Sequence, residues 1–393
     1  MLRIAVLSDV HAYSKAELEE GGSRPSHAEI SNPDNPSVNP FAAVHHLIER
    51  EKLSADVLIS GGDLGDRGSA QALTYAWAEV RKLQSSLGAQ LLLPATGNHD
   101  MDSRALNGYD ARGALQGLKN YPFADVALNN QYWANNVVVQ QHGTFRSVLL
   151  NSAAYHGYQD EWKHGRVSQR TRQHLTEALT VTPDPGINVL VTHHHLYAHG
   201  GVDLEDMSAM KESPALLNIL DSGNYGSWLI IHGHRHWPSL TRASGSQGAP
   251  VVFSAGSFSA VLWDELQDKA RNQFYILEID DTNPGHRVVG TFRAWDWIID
   301  EGFLPARERS GLPHRGGFGG TLNGAELASR IAAVYAQHGE PYLPYSTILA
   351  ELPDLKYSMP SDVKQCIDVL ENSHNLSVLY DREQPSQIGR SKA

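Results

Sequence analysis

The chain has 393 residues, with 32 Lys and Arg against 44 Asp and Glu, a formal net charge of −12, 20 histidines and one cysteine. The single cysteine excludes a disulfide framework, a thiolate zinc site and a CxxC redox pair, and the acidic balance argues against a generic polyanion binder. Any metal must therefore be held by His, Asp, Glu or Asn, and imidazole is both a common metal ligand and an acid/base near neutral pH. The length predicts about two or three domains. No apolar run approaches the ~20 residues that span a bilayer. The apolar opening Met1–Val6 is too short for a signal-peptide core and is soon followed by Asp9, so a cytoplasmic chain without a membrane partner is expected.

In chain order, Arg3–Leu7 reads as a strand and Ala12–Pro40, rich in Ser, Asn, Pro and Gly, as a long surface loop. An amphipathic helix over Phe41–Lys52, a strand over Asp56–Ser60, a helix over Ser69–Leu87 and a strand over Gln90–Pro94 follow. Met101–Asn136, with Tyr109, Tyr121, Tyr132 and Trp133, reads as an irregular aromatic excursion. Strands over Val137–Val139 and Ser147–Asn151 precede a loop, Tyr155–Gly165, that carries His156, Trp162 and His164. Then come a helix (Ser168–Leu179), a strand (Asn188–Thr192), a helix (Pro214–Asp221) and strands over Trp228–Ile231, Pro250–Ser254 and Phe274–Ile279. Several strands are continuously apolar, as strands buried on both faces are, and their alternation with helices implies a layered α/β architecture.

Glycine and proline punctuate 302–320. We therefore expect a domain over 1–300, a linker over 301–320 and a small, mostly helical module over 321–393. Leu322–His338, Tyr345–Leu352 and Ser361–Ser373 read as its helices, the last starting after Pro360, and Leu376–Tyr380 as a strand of a small wing. That pattern is winged-helix-like. From Pro313 onward, however, seven basic residues face nine acidic ones, which favours docking or a structural role over nucleic-acid binding.

Five polar clusters follow five apolar runs: Asp9-Val10-His11; Gly61-Gly62-Asp63-Leu64-Gly65-Asp66; Gly97-Asn98-His99-Asp100; His193-His194-His195; and His232-Gly233-His234-Arg235-His236. Clusters past the carboxyl ends of strands converge on one sheet edge, where α/β proteins bind ligands. Carboxylates can bridge two cations, and neutral imidazoles with an Asn carbonyl complete N/O coordination suited to Mn, Fe, Zn or Ni. The D-x-H and H-x-H spacings are expected to alternate along extended backbone, placing both side chains on one side. The preceding glycines are expected to allow sharp turns and close approach.

Together these five ordered blocks resemble the calcineurin-like metallophosphoesterase superfamily across Asp9–His236, and the closing strands to about residue 295 extend the likeness over some three quarters of the chain. The resemblance implies a four-layer α/β/β/α sandwich and two metal ions about 3.5–4 Å apart. Asp9, His11 and His236 would hold the first ion, Asn98, His193 and His234 the second, and Asp63 would bridge them. A metal-bridging hydroxide would attack phosphorus in line, His99 would assist the leaving oxygen, and Asp66 and Asp100 would orient neighbouring side chains. Family members often carry His-His-Pro where His193-His194-His195 stand. His193 is aligned as the ligand because it comes first after the strand; His194 is the competing choice, and His194 and His195 are candidate substrate contacts.

Arg235 is a candidate phosphate contact, and His156, His164 and His199 lie in loops that could reach the site. His27, His45, His46, His142, His174, His286, His314, His338 and His374 carry no partner motif and read as incidental, and His232 as strand-end packing. The long helix between the second and third blocks resembles the bacterial cyclic-nucleotide and glycerophosphodiester phosphodiesterases. The expected function is accordingly hydrolysis of a small phosphodiester. A monoesterase or pyrophosphatase is the close alternative, a DNA-repair-type nuclease a weaker one, and a non-catalytic scaffold the weakest. Oligomeric state is open, a homodimer included.

Overall fold

The computed structural model describes residues 1–18, 20–103, 108–157, 161, 164–197, 208–246, 248–282, 287–307, 311–381 and 384–391. Trp162, His199 and His286 lie outside them. The chain forms two compact units, Met1–Val288 with Arg293–His314, and Val289–Phe292 with Arg315–Ala393.

The first unit runs β1 (Leu2–Leu7), α1 (Pro40–Glu51), β2 (Val57–Ser60), α2 (Ala70–Leu87), β3 (Leu91–Pro94), α3 (Ala111–Gln116), α4 (Val126–Asn135), β4 (Val137–His142), β5 (Phe145–Leu150), α5 (Gln169–Val181), β6 (Ile187–Val191), α6 (Ser213–Leu220), β7 (Ser227–His232), β8 (Ser239–Arg242), β9 (Val251–Ser254), α7 (Asp264–Gln267), β10 (Gln273–Ile279), β11 (Gly290–Ile298, of which it holds the part from Arg293) and β12 (Gly302–Pro305). One sheet has the order β12-β11-β10-β1-β2-β3, with β1, β2 and β3 parallel and β10 antiparallel to β1. The other has the order β4-β5-β6-β7-β9-β8, parallel from β5 through β9, with antiparallel β4 and β8 at its edges.

The period of two along each strand sorts the layers. Ala5 and Leu7, with Leu58, Leu92 and Ile276, join one core with Phe41, Val44 and Leu47 of α1 and Leu73, Trp77 and Val80 of α2. In the second sheet Val148, Leu190, Trp228, Ile230 and Val252 pack with Leu175 and Leu179 of α5 and Leu216 and Leu220 of α6. The intervening residues, among them Ile4, Val6, Ile59, Leu93, Val189, Val191, Leu229 and Ile231, are also buried. They therefore cover the faces that the sheets turn toward each other, where the rings of Phe253 and Tyr275 meet with centroids 5.0 Å apart. The result is four layers, α/β/β/α, and it explains the continuously apolar strands.

Helix starts are locally encoded. Ser69 caps α2 by accepting from Ala72 N, Ser168 caps α5 by accepting from Thr171 N, and Asn39 accepts from Phe41 N with Pro40 as the first helical residue. The aromatic excursion differs from expectation, since it holds α3 and α4. Asp110 and Asp125 cap them by accepting from Gly113 N and Leu128 N. Neither helix carries an apolar stripe; in α4 only Tyr132 is buried. The Tyr121 and Tyr132 hydroxyls meet Thr96 Oγ1 at 3.0 and 2.8 Å, bracing the turn that follows β3.

The second unit contains β13 (Arg315–Phe318), α8 (Gly324–His338), β14 (Tyr342–Pro344), α9 (Tyr345–Glu351), α10 (Pro360–His374), β15 (Leu376–Asp381) and β16 (Gln384–Arg390). β15 and β16 form an antiparallel hairpin, with β14 on the other side of β16. Leu327, Ile331, Ile348, Leu370, Leu376 and Ile388 supply its core, and Asn323 and Glu326 form a reciprocal capping box at α8. Two readings need correction. β12 and β13 are strands within the stretch read as a linker, and α10 begins at Pro360 itself, whose fixed φ suits a first helical residue. Among the described residues no helix is long and apolar enough to cross a membrane.

The loop after β1 is pinned by His27, whose N–H donates to Ser259 O at 2.8 Å and whose ring lies 4.6 Å from Trp297. Burial, then the nearby Arg24 charge, lowers its pKa from 6.5 to about 4. A depressed histidine contributes stability that is present above 6.5 and is lost as pH falls toward 4. Discounted for partial exposure, this amounts to about 1–2 kcal/mol. Urea denaturation of the wild type and His27→Gln at pH 7.5 and 4.5 should therefore show the wild type losing that much more than the variant. Equal losses would contradict the assignment.

Candidate active site

Each cluster follows a strand of the first unit: Asp9 and His11 after β1, Asp63 and Asp66 after β2, Asn98 to Asp100 after β3, His193 to His195 after β6, and His234 and His236 after β7. The expected extended alternation is not what places them. Asp9, His11, Asp63, His234 and His236 have φ of 54°, 49°, 53°, 79° and 53°, in the left-handed region that costs about 1–2 kcal/mol per non-glycine residue. Interlocking hydrogen bonds hold these turns: Asp9 N donates to Gly62 O at 3.0 Å, His11 N to Asp63 O at 2.9 Å, and His234 N to both Asp9 carboxylate oxygens at 3.0 and 3.1 Å.

The turns gather two nests around one carboxylate. In the first, His11 Nε2 and His236 Nε2 are 3.1 Å apart and lie 4.0 and 3.5 Å from Asp9 Oδ1. In the second, Asn98 Oδ1 lies 3.0 Å from His193 Nε2 and 2.9 Å from His234 Nδ1. A single oxygen, Asp63 Oδ2, faces both, at 3.5 Å from His11 Nε2 and 3.2 Å from His193 Nε2. Asp9, His11 and His236 form one triad able to hold an ion, and Asp9, Asp63 and His193 another.

The donor chemistry fits metal ions. His193 Nδ1 lies 2.8 Å from Gly61 O, a carbonyl that can only accept, so Nδ1 carries the hydrogen and a neutral ring turns its Nε2 lone pair onto two further acceptors, Asp63 Oδ2 and Asn98 Oδ1. Acceptors converging in this way call for a positive charge between them. The field shows the same demand. Burial opposes protonation of His193, yet Asp63 raises its pKa to about 9, and burial likewise yields at His11 to Asp66, Asp63 and Asp9, which raise it to about 9. Asp63 is itself held well below the usual carboxylate range, because burial is outweighed by the His193, His99 and His11 charges. By contrast, burial and then the neighbouring imidazoles hold His234 well below 6.5, in the neutral form that ligates.

Beside the nests, His99 Nδ1 lies 2.9 Å from Asp66 Oδ1, which is also 3.7 Å from His11 Nδ1. Asp100 is fully buried and accepts from the N–H groups of Asp63, Leu64, Gly65 and Gly97 at 3.0, 2.6, 3.2 and 2.8 Å, tying the second turn to the third. Burial first, and the Asp63 charge second, push its pKa up to about 6.

A cavity of about 790 Å³ opens over the nests. His11, Asp63, Asp66, Asn98, His99, His234, Arg235 and His236 line it. Of the residues expected to touch substrate, Arg235 does line the cavity, with its guanidinium 5.9 Å from the Trp263 ring. His194, His195 and His156 are not in the lining and are buried behind it. His195 stacks on His234 at 5.5 Å. His156 bonds Ser103 Oγ at 2.8 Å and the His164 carbonyl at 3.0 Å, and Ser103 donates in turn to the Asn98 carbonyl. Sequence reasoning missed Tyr13, Glu17, Arg67, Tyr109, Val261 and Trp263 of the lining. Arg67 carried a signal, since it adjoins Asp66; the others come from loops without motifs.

The sequence model described as calcineurin-like phosphoesterase matches residues 2–238, and the chain belongs to that family. By class it is a metal-dependent phosphoesterase with two metal ions as cofactors, for which the His/Asp triads above are the candidate holders. A second sequence model, described as wHTH-Calcineurin_assc, matches residues 316–372. A comparison with curated proteins found no match. Among solved structures, a purple acid phosphatase from yellow lupin (Lupinus luteus) is 11% identical with a TM-score of 0.47, over 77% of this chain and 52% of that one. This chain thus spans about half the length of the lupin enzyme. A predicted phosphoesterase from Streptococcus pneumoniae is 12% identical with a TM-score of 0.31 (81% and 97% covered), and a phosphopantetheinyl hydrolase from Mycobacterium tuberculosis is 13% identical with a TM-score of 0.36 (65% and 90%).

At Gly97 one turn lies directly against another, since a Cβ there would fall on the Asp63 carboxylate and amide. Gly97→Ala should displace Asp63 and Asn98 together. The expected outcome is a loss of metal-dependent activity of at least about 100-fold with a cooperative unfolding transition retained, read by kinetics and circular dichroism. Near-normal activity would show that the turn tolerates a side chain.

Proposed function

We propose that this protein hydrolyses small-molecule phosphodiesters. The observation that carries the reading is the single oxygen of Asp63 facing two donor nests at the floor of a cavity that also presents His99. Asp9, His11 and His236 would hold one ion, Asn98, His193 and His234 the other, and Asp63 would bridge them. When bound, such ions neutralise phosphoryl oxygens and acidify water into a nucleophile near neutral pH.

The chain's own residues supply the rest. Asp66, kept ionised below the usual carboxylate range by His11 and His99 against the effect of burial, accepts from His99 Nδ1 and leaves Nε2 as the nitrogen that can pass a proton to the departing oxygen. Arg235 and Arg67 line the cavity as cations for the anionic group. The half-exposed Trp263 and Val261 offer an apolar wall to a second ester substituent, which a monoester lacks. The two arginines would equally suit a dianionic phosphate, so a monoesterase is the second reading. On this reading 1–300 would carry catalysis and 321–393 would have a docking or structural role, in keeping with its acidic composition.

Metal-loaded wild type should cleave bis-p-nitrophenyl phosphate faster than p-nitrophenyl phosphate, and the opposite order would favour the monoesterase. Asp63→Asn should abolish both activities. His99→Ala should lower kcat by about 10²–10⁴-fold on an alkyl diester and much less on the p-nitrophenyl ester, whose leaving group needs little protonation. Equal losses on the two would remove His99 from the leaving-group role.

A further inference from the structure

His194 is fully buried and follows the residue that closes the second nest. Consecutive residues of an extended strand point to opposite faces, yet the His193 and His194 rings meet edge to face at 4.9 Å, and the His194 ring lies 4.4 Å from that of His234. One ring nitrogen of each of these three residues lies within 4.8 Å of the others. Nitrogens around a common ion at about 2.0–2.1 Å stand up to about 4 Å apart, so small ring rotations close the set. His194 Nδ1 is engaged with Ser152 Oγ at 2.8 Å, whereas Nε2 is sealed from solvent without a hydrogen-bond partner, a costly state for a polar atom. The ring is held in place by His156, stacked at 5.1 Å and 27°, and by Gly165, where a Cβ would strike it.

We propose that His194 is a further ligand of the second metal ion, through Nε2. That ion then has three imidazole nitrogens beside the oxygens of Asn98 and Asp63, whereas the first has two imidazoles beside carboxylates. The second position accordingly prefers an imidazole-seeking ion such as Zn or Ni over Mn. Ser152 and His156 are positioning residues for the ring. The inference rests on the two-ion reading of the site.

The test is calorimetric titration of chelator-stripped, full-length protein with Zn²⁺, together with the visible spectrum of the Co²⁺-loaded form. Wild type should bind two ions. His194→Gln should weaken one of them by at least about 10-fold and alter the absorption of one Co²⁺, with the other ion unchanged. Ser152→Ala keeps Nε2 and should retain two ions while shifting the same Co²⁺ bands, so it serves if His194→Gln does not fold. Two ions bound with affinities unchanged in His194→Gln, or Co²⁺ bands unmoved in Ser152→Ala, would overturn the ligand assignment alone. Fewer than two ions bound by the wild type would overturn the two-ion reading and this inference with it.

Discussion

Asp63 is the constraint on which the rest depends. Its carboxylate is buried, and one of its oxygens is offered to two groups of imidazoles at once. Taking an ionised carboxylate out of water is costly unless cations and donors surround it. Its other oxygen accepts from His99 N at 2.7 Å, so the backbone of the histidine proposed to assist the leaving group is tied to the carboxylate proposed to bridge the ions. Asp100 then secures Asp63 from behind through four backbone donors on two turns. The donor nests, the His99 turn and the sheet edge are thereby parts of one hydrogen-bonded unit.

Such a unit requires backbone shapes that strands do not offer. Five non-glycine residues of the clusters sit at positive φ, and each such conformation must be offset by contacts elsewhere. The offset comes from neighbouring turns, because the amide of His234 reaches Asp9 and the amide of His11 reaches Asp63. Glycine is needed where one turn lies directly against another: a Cβ at Gly233 would fall on Ser8 and Asp9, and one at Gly97 on Asp63. The strained turns all follow parallel strands that are buried on both faces.

This division explains what the sequence made legible. Continuously apolar strands, helices opened by Ser69 or Ser168, and glycine-led polar clusters are local signals, and they placed the sheets, the main helices and every residue of the two nests. β8, β11, β12 and β16 carry weak or interrupted patterns, and β12 and β13 lie among the glycines and prolines that suggested a linker. α3 and α4 were hidden because each is opened by an aspartate cap and buries only one or two residues, Ala111 and Leu115 in α3 and Tyr132 in α4, rather than an apolar stripe. The backbone of the clusters could not be read from spacing either: D-x-H is compatible with a strand, and only the contacts between turns select the left-handed form. The cavity wall was least legible, since Trp263, Tyr109 and Glu17 arrive from loops distant in sequence and matter through proximity alone.

The many histidines acquire a physical order once the field around them is considered. His11 and His193 face carboxylates and are driven toward protonation, whereas His234, His236, His194 and His156 are driven away from it, by burial first. Such a cluster sets a demand for positive charge beside rings that keep their lone pairs, and each proton added to one ring repels the next. Metal ions resolve the conflict, as they bring charge to the carboxylates while using the lone pairs of the neutral rings. Two divalent ions would slightly outweigh the carboxylates of Asp9, Asp63 and Asp66, and Arg67 and Arg235 add positive charge at the cavity wall. An acidic protein thus gathers a local surplus of positive charge at the cavity proposed to admit an anionic phosphoester.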